Sequence, residues 1–174
     1  SPIPGDPRLL TRANRSGLRR PVIWNPLSGE RLDLAMEDVS GDTSPLGWSP
    51  DGKQILLDRH DRATQHLGIY DLESGSTRWL DLPGGVYGGH RHPRFGRPRE
   101  IVTEWEDLSH PPQVVSIDAT TGEVTPVLSG NSVEMPKRTW QPITFLSSDG
   151  QAVQAWLALP DGKGPFPTIL ETHG

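Results

Sequence analysis

The sequence predicts a mainly β fold, in which short antiparallel strands form repeated units and are followed by a stretch of different build. Three observations carry this prediction. First, 19 glycines and 18 prolines make up more than a fifth of the 174 residues, a density of turn formers that leaves little room for long helices. Second, three segments, VIWNPLSGERLDL, GIYDLESGSTRWLDL and VVSIDATTGEVTPVL, share the order apolar strand, polar turn ending in glycine, second strand. Third, this pattern stops beyond Met135.

The turn glycines of the three segments are Gly29, Gly75 and Gly122, spaced by 46 and 47 residues. That period is the size of one β-propeller blade, a unit of four short antiparallel strands. The first repeat is incomplete. Arg8 to Thr11 already reads as the end of a strand, and about a dozen residues separate it from Val22, which makes this a truncated or irregular blade.

The middle repeat shows every strand. Leu46-Gly47-Trp48 leads into the turn Ser49-Pro50-Asp51-Gly52, where Pro presets φ, Asp bonds its own backbone and Gly tolerates φ > 0. Gln54 to Asp58, Gly68 to Leu72 and Thr77 to Leu82 supply the other three strands. In the third repeat HPRFGRPREIV replaces WSPDGKQIL, so the loop is longer, and Ile101 to Trp105 and Val114 to Asp118 match the inner strands of the middle unit. The competing reading is a set of unrelated hairpins whose turns share Ser-Gly or Thr-Gly, as turns commonly do. Trp48, Trp79 and Trp105 fit both readings, and in a propeller they would fill the wedge between blades.

Past Met135, Ile143 to Ser147, the turn Ser148-Asp149-Gly150 and Ala152 to Leu159 predict a longer hairpin with Val153, Ala155, Leu157 and Leu159 on one face. A loop rich in Gly and Pro, Pro160 to Pro167, follows. Thr168 to Thr172 then reads as an apolar strand that ends in His173-Gly174.

The W-S-P-D-G-K turn in repeated blades, followed by D-G-x-x-x-x-A-W-L-x-x-P and P-T-I-L-x-x-H-G, resembles the prolyl oligopeptidase family of serine peptidases, within it the acylaminoacyl-peptidase and dipeptidyl-aminopeptidase type. The likeness is strongest over Trp48 to Leu82 and Ile143 to Gly174. It implies the last blades of a β-propeller over residues 1–136, followed by the first strands of an α/β-hydrolase domain over residues 137–174. In such a domain the loop after the third strand commonly carries an HGG-type motif and supplies a backbone N–H to the oxyanion hole. His173 and Gly174 match the first two positions of that family's HGGP stretch, which implies that they begin the oxyanion loop. The competing reading of Gly174 is a glycine that merely ends a strand.

The resemblance also implies a Ser-Asp-His triad, with the serine in a G-x-S-x-G elbow downstream. No G-x-S-x-G occurs in these 174 residues, so the expectation is a fragment of a peptidase for short peptides, inactive as it stands. The remainder of the hydrolase domain and propeller would be needed for a stable fold, and the lone chain is expected to expose apolar faces and to associate. Two rivals stay open: a TolB-like propeller that binds a protein partner without catalysis, and an esterase with the same hydrolase entry. A pure binding propeller should resume its blade pattern after Leu146.

Composition excludes several other classes. The net charge is −5 and the arginines are dispersed, so the basic footprint of a nucleic-acid binder is missing. No apolar run approaches the roughly 20 residues needed to span a bilayer, which reads as a soluble chain with no membrane partner. The absence of cysteine removes disulfides and thiol catalysis and fits a cytoplasmic or a secreted protein, with the cytoplasm slightly favoured. Asn14-Arg15-Ser16 matches the N-glycosylation triplet, which matters only in a eukaryotic secretory setting.

No cofactor or metal site is expected. His90 and His92 would share a strand face, but no carboxylate stands at a matching spacing, so both read as loop histidines. His60, His66 and His110 read as solvent-facing residues by polar turns. Asp38, Asp42, Asp58 and Asp61 sit where turns and strand ends are expected and read as structural. Glu104, Trp105, Glu106 and Asp107 form a short acidic patch expected on a loop; the resemblance allows it a part in recognising a peptide's amino terminus, and a solvated loop is the plainer reading.

Overall fold

The structure, a computed structural model, describes residues 4–15, 17–36, 38–62, 64–107, 110–128 and 140–172, and every regular element among them is a β-strand. β1 (Leu9–Arg15), β2 (Leu18–Trp24) and β3 (Arg31–Asp33) form a first sheet in chain order. β4 (Asp42–Trp48), β5 (Gln54–Asp61), β6 (Thr64–Asp71) and β7 (Ser76–Trp79) form a second. The third sheet holds β8 (Val86–Tyr87), β9 (Arg94–Phe95), β10 (Glu100–Glu106), β11 (Gln113–Asp118) and β12 (Val124–Leu128). Both β8 and β9 pair with β10, so two short pieces stand where the middle sheet has the single strand β4. β13 (Trp140–Leu146) and β14 (Ala152–Ala158) pair with each other in a separate hairpin. The fold is mainly β, with propeller-like blades.

One side chain per blade sets the repeat. The Oδ1 atoms of Asn25, Asp71 and Asp118 each accept two backbone N–H groups: from Leu27 and Ser28 at 3.0 and 3.3 Å, from Glu73 and Ser74 at 3.1 and 2.9 Å, and from Thr120 and Thr121 at 2.7 and 2.8 Å. The N–H of Gly29, Gly75 and Gly122 then donates to the backbone carbonyl of that same Asn or Asp, at 2.8, 3.0 and 2.8 Å. All three glycines have positive φ, +77°, +66° and +78°, a conformation that a Cβ disfavours. The partner stands four residues before each glycine, so the turn reads [N/D]-x-x-[S/T]-G in all three repeats. The N–H donors at this turn hold the carboxyls of Asp71 and Asp118 below the usual carboxylate range.

The S-P-D-G turn works in the same way. Ser49 Oγ donates to Asp51 Oδ1 at 2.6 Å and accepts the Gln54 N–H at 2.9 Å, while Asp51 Oδ1 also accepts the Lys53 N–H at 3.1 Å. Ser147 and Asp149 repeat this arrangement at the tip of the β13–β14 hairpin, where the Gln151 N–H reaches Asp149 Oδ1 at 3.1 Å.

The blades stack through the middle one. Ile55, Leu56 and Leu57 are all fully buried, and alternation along β5 sends them to opposite sides. Ile55, Leu57 and Tyr70 pack with Ile23, Leu34, Met36 and Trp48. Leu56, Leu67 and Ile69 pack with Leu80, Tyr87, Ile101, Trp105 and Ile117. Each such aliphatic side chain contributes about 1.5–3 kcal/mol through its removal from water. Trp48 and Trp105 occupy the wedges as expected, and Trp79 packs partly buried against the same cluster as Trp48, beneath the Arg59 guanidinium, which lies 4.6 Å from its ring centroid.

Polar seams fix the register between blades. The Gln65 amide pairs with the Tyr87 backbone like a strand residue: Nε2 donates to its carbonyl at 2.9 Å and Oε1 accepts its N–H at 2.8 Å. Arg78 caps the carbonyls of Ala119 and Thr120, and Arg20 caps those of Val39 and Gly41.

Several expectations need correction. The strands predicted at Gln54 to Asp58 and Gly68 to Leu72 are longer, and the one at Thr77 to Leu82 stops at Trp79. Thr168 to Thr172 is not a strand: Ile169 is 95% and Leu170 82% exposed, and among the described residues no strand lies beside them to complete a ladder. The expected boundary between residues 136 and 137 lies outside the described residues.

Gly68 and Gly47 give a paired test of the packing. A Cβ at Gly68 would lie 2.5 Å from the Trp79 ring, while one at Gly47 meets nothing within 4 Å. Gly68→Ala is expected to cost about 1–3 kcal/mol by overpacking. Gly47→Ala should stay within about 1 kcal/mol of the parent, since it adds a methyl to open space. Urea midpoints of the two variants measure the contrast.

Candidate functional site

His173 and Gly174 lie outside the described residues, so the expected oxyanion loop is approached only through what precedes it. β13 and β14 pair over seven positions, from Trp140↔Ala158 to Leu146↔Ala152. Antiparallel pairing places Ile143, Phe145, Val153, Ala155 and Leu157 on one face and Trp140, Pro142, Leu146, Trp156 and Ala158 on the other. Leu159, expected on the first face, falls beyond the end of β14. Gln141 interrupts the first face and the Thr144–Gln154 pair the second, so the hairpin is largely apolar on both sides, with Phe145 and Trp156 exposed. Strands of this composition suit a sheet covered on both faces, and among the described residues this hairpin pairs with none of the three blade sheets.

A second cluster forms where the chain after β8 crosses β10. The Gly88 N–H donates to the Glu104 carbonyl at 2.7 Å and holds the following loop against the strand. His90 Nδ1 lies 2.9 Å from Glu104 Oε1, so the loop histidine has the carboxylate partner that sequence spacing did not reveal. A Cβ at Gly89 would stand 3.4 and 3.5 Å from the Oε1 atoms of Glu106 and Glu104, so both carboxylates border the same point. The hydrogen bond to Glu104, reinforced by its charge, raises the pKa of His90 above the ordinary histidine value.

The acidic patch is not a loop. Glu104, Trp105 and Glu106 belong to β10, whose alternation buries Trp105 in the core and leaves the two glutamates on the other face. Asp107, just past the strand, accepts the His110 N–H at 2.7 Å and lies 2.8 Å from His110 Nδ1. The His110 ring sits 5.3 Å from that of Trp105.

The remaining residues have structural places. Asp58 lies inside β5 rather than at a turn, and its carboxylate meets His60 Nε2 at 2.9 Å and Gln65 Nε2 at 3.1 Å. Asp42 accepts the Arg19 N–H at 2.8 Å, and Asp61 accepts the Ser40 hydroxyl at 2.6 Å. His66 is part of β6 and partly buried; desolvation, with Arg59 nearby, lowers its pKa. Among the described residues no group of three or more His, Cys, Asp or Glu is placed to hold a metal ion, and no helix is long and apolar enough to cross a membrane. Gln65 and Arg78, which join neighbouring blades, had no signal in the sequence, because their partners are backbone groups 22 or more residues away.

No family model and no curated protein matches this chain. Solved structures of the same fold do. A prolyl endopeptidase is 17% identical with a TM-score of 0.64, over 87% of this chain and 23% of its own. The dipeptidyl peptidase 4 of Porphyromonas gingivalis is 11% identical with a TM-score of 0.66, over 88% and 22%. TolB from Acinetobacter baumannii is 17% identical with a TM-score of 0.56, over 90% and 36%. The chain thus spans about a quarter of the length of the peptidases it matches. At these identities the likeness shows the fold, one shared by serine peptidases and TolB propellers.

The His90–Glu104 pair makes a pH prediction. A pKa raised in the folded state means that the pair's contribution is complete below the unfolded histidine value and is lost as pH rises through the folded one. In an NMR titration His90 should have its midpoint above the ordinary histidine value, and Glu104→Gln should bring it back down.

Proposed function

We propose that this chain is part of a serine peptidase of the prolyl oligopeptidase type, comprising propeller blades and the entry to its α/β-hydrolase domain. The observation that carries this reading is the β13–β14 hairpin. It pairs with no blade among the described residues and is largely apolar on both faces. The W-S-P-D-G-K turn, the P-T-I-L-x-x-H-G stretch and the fold likeness to peptidases support it.

In this reading His173 and Gly174 begin the oxyanion loop, whose amides would stabilise the tetrahedral intermediate; losing one such donor typically costs about 10²–10³ in turnover. A serine outside these 174 residues would form the acyl-enzyme with the carbonyl of a short peptide, and water would release it, with a histidine as base. The blades would restrict access to small or unfolded peptides. The 174 residues alone would have no peptidase activity.

A TolB-like, non-catalytic propeller is the second reading. Its support is that a TolB structure covers 90% of this chain. Esterase chemistry on the same hydrolase entry is a variant of the first reading.

Treating the complete translated protein that contains this chain with a fluorophosphonate probe separates these readings. The expected result is one labelled serine in a G-x-S-x-G sequence downstream of Gly174, together with cleavage of short peptide substrates. Labelling with ester but no peptide turnover would favour the esterase, and absence of any labelled serine would overturn the enzyme reading.

A further inference from the structure

The groove between the first and second blades is built from the same positions as the groove between the second and third, and the two differ at one side chain. Aligned on their Asx turns at Asn25, Asp71 and Asp118, the repeats place Leu32 where the second blade has Arg78, and Leu72 and Glu73 where the third has Ala119 and Thr120. The strand frame is alike: Leu32 stands opposite Ile23, and Arg78 opposite Ile69.

Between the second and third blades the groove is filled. Arg78 reaches across it, and its two terminal nitrogens donate to the successive carbonyls of Ala119 and Thr120, the latter at 3.3 Å. A planar guanidinium suits such a pair because its N–H groups form a fixed fork. Between the first and second blades Leu32 has no donor to offer the carbonyls of Leu72 and Glu73. It is 52% exposed, and beside it lies a cleft of about 490 Å³. The apolar part of the lining is Ile23, Leu32 and Leu72. Of the charged residues there, Arg8 is held by Asp6 at 2.6 Å and Arg31 by Asp33 at 2.7 Å, whereas Glu30 has no cationic partner among the described residues. The cleft therefore sets one uncompensated negative charge beside an apolar surface.

We propose that this cleft binds the side chain of an arginine residue on a partner polypeptide, in the manner in which Arg78 fills the equivalent groove. The aliphatic stem lies along Ile23, Leu32 and Leu72, as long cationic side chains do on apolar surface. The guanidinium donates to the carbonyls of Leu72 and Glu73 and faces Glu30. An anionic ligand is disfavoured, because both lining arginines already hold a carboxylate. Both walls of the cleft are described residues of the blades, and the site goes beyond the proposed function because it involves no serine chemistry.

The test titrates N-acetyl-L-arginine methylamide into the complete translated protein that contains this chain, with binding followed by calorimetry. The parent is expected to bind, and Glu30→Gln to bind about 1.5- to 5-fold more weakly, the range of an exposed ion pair. Leu32→Arg should supply the guanidinium from within the chain, abolish binding and leave the melting temperature no lower than the parent's. Leu27→Arg adds the same charge at the tip of the Asx turn, where Leu27 is 84% exposed, and should keep affinity within about twofold. Absence of binding to the parent would overturn the proposal, as would binding that persists in Leu32→Arg, which would place the compound elsewhere on the protein. Equal losses in Leu27→Arg and Leu32→Arg, or a lowered melting temperature of Leu32→Arg, would show that the Arg78 arrangement does not transfer to this groove. Binding of free L-arginine without the blocked compound would replace the polypeptide by an amino acid and equally sink the idea. Fluorophosphonate labelling bears on none of these outcomes, so the cleft and the peptidase reading stand or fall separately.

Discussion

Everything in the blade stack depends on the two-sided burial of Ile55-Leu56-Leu57. A run of three consecutive apolar residues in a strand is a liability when one face meets water, because one of them must then be exposed. Here the neighbouring blades cover both faces, so one strand serves two cores. The first blade supplies Ile23, Leu34 and Met36 to one, and the third supplies Ile101, Val115 and Ile117 to the other. Loss of either neighbour would uncover half of β5, which is why the blades act as a stack rather than as independent sheets.

The hydrophobic contacts are non-directional and tolerate sliding; the polar seams do not. The Gln65 amide reproduces both hydrogen bonds of a strand partner at Tyr87, and Arg20 and Arg78 donate to backbone carbonyls outside the strands. Such bonds have narrow geometry, so they select one docking position from the many that apolar packing permits. Tyr87 also shows how closed the seam is: burial pushes its hydroxyl pKa up to about 12, and the hydroxyl donates to the Pro83 carbonyl.

The functional reading is carried by contrast within the chain. Three sheets share one device, the Asx turn with its glycine, and the fourth is a two-stranded hairpin that pairs with none of them among the described residues. The blades alone fit an enzyme cap and a binding propeller equally well, since fold does not determine function. What separates these readings is the hairpin and the motif after it.

How much was legible in the sequence follows from the range of the interaction involved. The turns were readable because an Asx or S-P-D-G turn is closed by residues within five positions, and the 46- and 47-residue spacing repeats them. The blade order followed, since short turns between apolar runs leave few ways to pair. The split first strand of the third blade was not readable, because β8 and β9 are strands only by pairing with β10. The His90–Glu104 contact and the Gln65 seam were hidden for the same reason: they join residues 14 and 22 positions apart. The assignment of Thr168 to Thr172 failed in the opposite direction, since an apolar run becomes a strand only where a neighbour offers hydrogen bonds. Local chemistry in the sequence thus determined the turns and the repeat; only the tertiary structure decided which faces close, because burial and ladder pairing depend on residues far apart in the chain.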